Sequence, residues 1–370
     1  MGERTATRSL VVTHAIARSV QRRRERTGVP RFLVAHNLLL GDTIMLTPLL
    51  AKLRANHPKA EITLLAAPGL VPLYEQKPYG VRALPFKPSD SSTTRALLEE
   101  DPYDTAFVVG DNRYSWLAAA MRARRIVAHS GDRRWSKNVF VDEARPYRTA
   151  PAPWGDMVAE LADGPDPPPY GHGQWRAPGA KSFAIPPMPY AVLHVGASTL
   201  LKRWRPDRWL ALANELERRG YAIAWSAGRG EEGIVQECDR TGRYPSYAGK
   251  LDLAALWHLV ANARLLVAPD TGIAHLGRVT FTPTVTLFGP GSAALCAPGE
   301  FWRSSPWRAV GLDPFPCRDQ QMLFGRRVEW VRRCVRTIEQ CNEPRCMNAI
   351  ELSAVLAAVN SLEEERELQE

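Results

Sequence analysis

The sequence predicts an α/β protein made of two doubly wound, Rossmann-like halves, and three observations carry that prediction. Short apolar runs alternate with helically spaced segments in two successive series. A stretch rich in proline and glycine separates the series. The chain has 370 residues, more than one core comfortably organises. Two such halves are expected to face each other across a cleft, with a ligand outside the carboxyl ends of the strands.

The first series opens with "RFLVAHN", a short apolar run, followed by "TPLLAKLRANHP", which shows helical spacing and a proline stop. "AEITLLAAP" is the next strand. Strand, helix and strand in about 40 residues form a βαβ unit and imply a parallel sheet. "YDTAFVVGDN" and "WLAAAMRARR" read as a further strand and helix. Residues 163–189 hold eight prolines and four glycines, too many for a helix or a central strand. A linker is therefore placed at 166–189, between an N-terminal domain at 31–165 and a C-terminal domain at 190–350, with a helix or tail at 351–370. The pattern restarts with "YAVLHVGAS", "PDRWLALANELERRG" closed by Gly220, and "YAIAWSAG". It continues with "LDLAALWHLVANA", "RLLVAPD", "GIAHLGRV" and "TPTVTLFGP".

Apolar residues make up 45% of the chain and charged ones 24%, as in ordinary globular proteins. No run of 18 apolar residues predicts a membrane-spanning helix. Six of the nine net positive charges lie in residues 1–31, where eight arginines face two glutamates. This basic arm (1–30) carries its heaviest charge after its apolar run "LVVTHAIA", the reverse of a cleaved signal peptide. It reads either as a disordered tail or as an arm drawn to anionic lipid head groups. Nucleic-acid binding is not expected, because no zinc finger, helix-turn-helix or aromatic-rich binding motif accompanies the charge. Six cysteines form no disulfide framework and predict reduced thiols in a cytoplasmic protein.

Chemistry concentrates at loops. In "VAPDTGIAHLGR" (267–278) a strand stops at Asp270 and a helix starts at Gly272. First-turn amides and the positive end of the helix dipole make an anion site there. Gly272 allows close approach, Thr271 offers a hydroxyl, and His275 lies one turn on. The same residues also suit an aspartate N-cap. In "HVGASTLLKRW" (194–204), Gly196, Ala197 and Ser198 are small enough for phosphates to approach, and Lys202 is a compact positive charge. A surface turn with a solvated lysine fits that segment too. "GRGEEG" (228–233) matches the dinucleotide fingerprint, so a nicotinamide-dependent oxidoreductase is the reading from another class. Glu231 and Glu232 would oppose a pyrophosphate there, and Glu231 is better suited to ribose hydroxyls. In "LLLGDTIMLTPLL", Asp42 opens a helix after a glycine, as an N-cap or as a cleft base accepting a hydroxyl proton.

Together these segments resemble glycosyltransferase family 9, the ADP-heptose:lipopolysaccharide heptosyltransferases. The matching pieces are "LGDTIMLTPLLAKLRANHPKAEITLL", "LHVGASTLLKRWRPDRWLALANEL", "LDLAALWHLVANARLLVAPDTGIAHLGRV" and "TPTVTLFGP". They keep the family's order from about residue 31 to 350 and leave the arm outside. The resemblance implies a GT-B fold and an inverting, metal-independent transfer of heptose from ADP-heptose to an acceptor hydroxyl, with the lipopolysaccharide inner core as expected acceptor. It implies Asp42 as general base, and Lys202 neutralising the departing diphosphate with Ser198 and the amides of Thr271 and Gly272. Asp270 would hold donor hydroxyls, His275 would lie near the phosphates, and Glu231 and Leu251 near the adenosine. The chain contains no D-x-D, so a metal–carboxylate clamp has no candidate and no cofactor is expected for catalysis. Lysine and a helix N-terminus must then stabilise the leaving group.

On the acceptor side, Arg113, Arg122, Arg124, Arg125, Arg133 and Arg134 are candidates for a basic floor, with Arg113 singled out for its place near a strand end. Cys317, Cys334, Cys341 and Cys346 are spaced C-x16-C-x6-C-x4-C. Four cysteines suit a structural zinc or iron, yet the C-x2-C knuckle is missing, with Gln320 where a close second cysteine would stand. Reduced thiols in a compact segment fit equally. Autotransporter heptosyltransferases, which modify protein, look similar in carrying cysteine-bound iron, so a protein acceptor is the rival within the family. A catalytically dead sugar-nucleotide-binding module is a third reading, opposed by the presence of both Asp42 and Lys202.

Overall fold

The computed structural model describes residues 3–19 and 27–368. Arg22, Arg23, Arg24 and Arg26 of the basic arm lie outside the described residues. The chain divides into two compact units, Met1–Pro168 with Met322–Trp330, and Pro169–Gln321 with Val331–Glu370.

The first unit holds α1 (Glu3–Ala17), β1 (Arg31–Ala35), α2 (Leu40–Ile44), α3 (Thr47–Asn56), β2 (Glu61–Ala66), β3 (Val81–Pro85), α4 (Ser91–Glu99), β4 (Thr105–Val108), α5 (Ser115–Ala120), β5 (Arg125–His129), β6 (Glu143–Arg145) and α6 (Trp154–Ala159). Its six strands run parallel in the order β3-β2-β1-β4-β5-β6. A parallel sheet is covered on both faces, so its central strands read as continuous apolar runs rather than alternating ones. All five residues of β1 are buried accordingly.

Residues Glu3–Ala17 of the arm form a helix where a disordered tail was one expectation. Its apolar residues recur at helical spacing, and Thr7 and Ala15 are buried. Leu10 and Val11 pack on the core beneath α4 and α5. Arg18 then donates to the carbonyls of Leu98, at 2.8 Å, and Ala120, at 3.0 Å. Both lie in the last turns of α4 and α5, where helix carbonyls otherwise lack partners.

The second unit holds β7 (Tyr190–His194), α7 (Pro206–Arg218), β8 (Ala222–Ser226), α8 (Glu232–Cys238), α9 (Leu253–Ala261), β9 (Leu265–Pro269), α10 (Gly272–Val279), β10 (Thr284–Leu287), α11 (Ala293–Cys296), β11 (Trp307–Val310), α12 (Arg345–Asn348) and α13 (Leu352–Glu367). Its parallel sheet has the order β11-β10-β9-β7-β8. Trp204, Trp209, Trp225 and Val355, Val359 and Leu362 of α13 share one core. The Trp204 indole N–H is satisfied by the Ile350 carbonyl at 2.8 Å. The proline-rich segment is tied down by aromatics. Tyr170 is buried and donates to the Val279 carbonyl at 2.8 Å, and buried Trp175 packs on Trp257.

A short hairpin, β12 (Met322–Leu323) and β13 (Arg326–Arg327), lies far along the chain yet belongs to the first unit. The Arg326 guanidinium, 2% exposed, donates to the Gly110 carbonyl at 2.6 Å, Asn112 Oδ1 at 2.6 Å and the Ser130 carbonyl at 2.9 Å. One side chain thus satisfies loop acceptors that follow β4 and β5.

Candidate active site

The strand order of the second unit explains the site. Because β10, β9, β7 and β8 are neighbours and parallel, the loops after their carboxyl ends line up along one sheet edge. Those loops carry Asp270, Lys202 and Glu231, and the loop after β10 leads into α11, which ends at Cys296.

Lys202 reaches across to the loop after β9. Its ammonium donates to Asp270 Oδ2 at 2.9 Å and to the Asp270 carbonyl at 2.7 Å. Asp270 is therefore not the helix cap; Thr271 holds that position, and its side chain makes no capping hydrogen bond. Burial opposes ionisation of Asp270, but Lys202, with His275 and Arg333, outweighs it and holds the carboxyl below its usual range. His275 is 5% exposed, and burial, reinforced by Arg278, pushes its imidazolium down to about 3. The ring is thus neutral at physiological pH.

Arg278 and Arg333 were not singled out from the sequence. Arg278 lies three residues after His275 on α10, is buried, sits over the Trp307 ring at 4.6 Å, and donates to the Cys296 carbonyl. Its position one helical turn beyond the histidine was the available signal. Three cations around one carboxylate and a neutral imidazole leave this helix N-terminus positive, which suits an anion.

Glu231 closes the other end of the row. Its carboxylate accepts from the amides of Ala197, at 3.1 Å, and Gly228, at 2.8 Å. A Cβ at Gly196 would push against Glu231 Oε2, so a larger residue there would displace this carboxylate from its place. Glu232 accepts from the Gly230 amide at 3.1 Å. Carboxylates already occupy the amides a dinucleotide fingerprint would offer to pyrophosphate, which removes the nicotinamide reading of "GRGEEG". Ser198 is exposed on the loop after β7, and half-buried Leu251 follows Gly249, whose amide bonds the Ala227 carbonyl beside β8 at 3.1 Å.

In the first unit, Asp42 is half-buried in the first turn of α2, after the carboxyl end of β1. The cap position is Leu39, so the capping alternative for Asp42 does not hold. Arg113 is exposed after β4 and pairs with Asp111 at 2.7 Å, which also binds Lys137 at 3.1 Å. Of the other arginines, Arg125 is engaged by Glu143 and Asp163, and Arg122 by the Glu100 carbonyl. Arg133, Arg134 and Trp135 stand exposed after β5, the tryptophan at 80%.

The six cysteines are unbridged thiols. Cys346 is buried, and burial with Cys317 and Cys334 nearby pushes its thiol up. Cys334 accepts from Arg336, and the Cys341 thiol donates to the Glu343 carbonyl at 3.3 Å. Among the described residues, the potential metal ligands whose atoms lie within 4.8 Å of one another are Asp270, His275 and Cys296, not the four cysteines.

The family model described as glycosyltransferase family 9 (heptosyltransferase) matches residues 93–305. Lipopolysaccharide heptosyltransferase 1 of Pseudomonas aeruginosa is 32% identical over 190 residues, 47% of this chain and 50% of that protein. That alignment thus spans about half the relative's length. Lipopolysaccharide heptosyltransferase 3 of Escherichia coli is 24% identical over 321 residues, 76% of this chain and 89% of that protein. Among solved structures, the crystal structure of the glycosyl transferase family 9 from Veillonella parvula superposes with a TM-score of 0.70 at 17% identity, covering 92% of this chain and 99% of that one. At that identity the likeness speaks for the fold, two Rossmann-like parallel α/β units of the GT-B class. With the family model matching more than half of its length, the chain belongs to glycosyltransferase family 9 and is a glycosyltransferase.

Proposed function

We propose that this chain transfers heptose from ADP-heptose to a hydroxyl of the lipopolysaccharide inner core, with inversion and without a catalytic metal. The observation that carries the reading is Lys202 anchored on Asp270 at the N-terminus of α10, where the Thr271 side chain makes no capping hydrogen bond. An ammonium held beside first-turn amides is preorganised for the negative charge that grows on a departing diphosphate. In this reading Ser198 and the amides of Thr271 and Gly272 assist, and His275 lies beside the phosphates as a neutral ring, leaving the charge compensation to Lys202. Glu231, braced on the loop of Gly196 and Ala197, takes the ribose, with Leu251 near the adenine. Asp270 serves twice, positioning Lys202 and accepting from donor hydroxyls.

On the acceptor side, Asp42 takes the proton of the attacking hydroxyl as its oxygen bonds the anomeric carbon and the bond to the diphosphate breaks. Arg113 contributes to holding anionic groups of the core. The names of the lipopolysaccharide heptosyltransferases it resembles support heptose as the sugar and lipopolysaccharide as the acceptor. No described helix is long and apolar enough to cross a membrane. Exposed Arg133, Arg134 and Trp135 suit a peripheral contact with the cytoplasmic leaflet, since tryptophan favours the interface and arginine the anionic head groups.

Mass spectrometry of products from ADP-heptose and a panel of truncated lipopolysaccharide cores tests the reading. A heptosylated core is the expected result. Turnover of ADP-heptose with product only on polypeptide would move the acceptor to protein, and no turnover of ADP-heptose at all would remove the donor.

A further inference from the structure

We propose that Asp270, His275 and Cys296 form a zinc-binding site that competes with Lys202 for Asp270. Their ligand atoms lie within 4.8 Å of one another. Zinc bonds of about 2.0–2.3 Å would close that group by roughly an ångström, within reach of side-chain adjustment. The carboxylate is already divided between two neighbours. Oδ2 holds Lys202 at 2.9 Å, and Oδ1 faces the Cys296 sulfur at 3.7 Å. The imidazole of His275 is buried, and its Nδ1 has no hydrogen-bond partner.

The donor set decides which metal. One nitrogen, one carboxylate oxygen and one sulfur make a borderline-soft set that suits zinc, whereas magnesium and calcium take oxygen ligands. Three protein ligands leave the fourth position to water. Lys202, Arg278 and Arg333 all act on this neighbourhood and disfavour a further positive charge. Binding must therefore release the Cys296 proton to solvent and displace the Lys202 ammonium from Asp270, so that thiolate and carboxylate offset the dication. The lysine is the competitor, because the same carboxylate serves both cations.

The inference shares its loop with the proposed donor site but not its function, and ADP binding measured in parallel reports on that function separately. Zinc chloride is titrated into the full chain against a chromophoric chelator. Cys296→Ser is expected to weaken zinc binding at least tenfold, and Lys202→Ala to tighten it by about tenfold, with no response to magnesium. An unfolding midpoint in urea equal to that of the parent chain verifies that Cys296→Ser is folded. Two results overturn the proposal: zinc binding unaffected by Cys296→Ser, or zinc binding lost instead on replacing Cys317 and Cys334 by serine.

Discussion

The ammonium of Lys202 is held by two oxygens of one residue, and that residue sits 68 positions away in the chain. Removing the lysine takes a charged donor from the expected diphosphate and leaves the half-buried Asp270 carboxylate without its ion-pair partner. A charged hydrogen bond contributes about 1.5–3 kcal/mol, so Lys202→Ala should weaken ADP binding by roughly 10- to 100-fold and slow transfer with it. Calorimetry of ADP binding beside initial rates checks both. Asp42 behaves differently, because it belongs to the other unit and is assigned to the proton. Asp42→Asn should lower kcat by about 100-fold or more while ADP affinity stays within about twofold. Near-normal turnover would take Asp42 out of the mechanism. Each residue was visible in the sequence as an acid or lysine beside a glycine-containing loop. That Lys202 and Asp270 hold each other was not, since it follows from the adjacency of β7 and β9.

At the scale of elements, α10 carries the site only while it lies close on β9 and β10. A Cβ at Gly277 would collide with Thr284 Oγ1 and come within 3.0 Å of Leu266 Cδ2. Gly277→Ala should therefore lift the helix, cost about 1–3 kcal/mol of stability and reduce ADP affinity, read by urea unfolding and calorimetry. The β12–β13 hairpin has the corresponding role in the first unit. Arg326→Ala would leave the Gly110 and Ser130 carbonyls and the Asn112 amide oxygen without their donor. The expected loss is about 3 kcal/mol or more, seen as a lower unfolding midpoint for that unit. The hairpin escaped sequence reasoning because two-residue strands carry no periodicity. The helical arm was missed for another reason, since charge dominates its composition while its buried face is only a few small residues.

Across the whole molecule, four buried histidines contribute to the response to acid. Burial pushes His36, His129 and His275 down to about 3 and His194 to about 4. Arg326 adds to the effect at His129, and Arg278 at His275. In the unfolded chain each titrates near 6.5. Between the folded and unfolded values the unfolded chain therefore binds the extra protons, so stability is intact above about pH 6.5 and falls as pH drops toward 4. Each histidine contributes up to about 1.4 kcal/mol per pH unit. Unfolding at pH 5 should take up about four protons from these groups, measurable from the pH dependence of urea unfolding. Uptake near zero would mean that the rings are solvated. By itself the sequence determined the alternation of strand and helix, the two series and the residues at strand ends, because periodicity and turn chemistry are local properties. Only the tertiary structure decided the strand order, and with it which loops share an edge. It also settled that Glu231 fills its own glycine loop and that a distant arginine satisfies the first unit's carbonyls. Those outcomes depend on non-local packing, which no window of sequence contains.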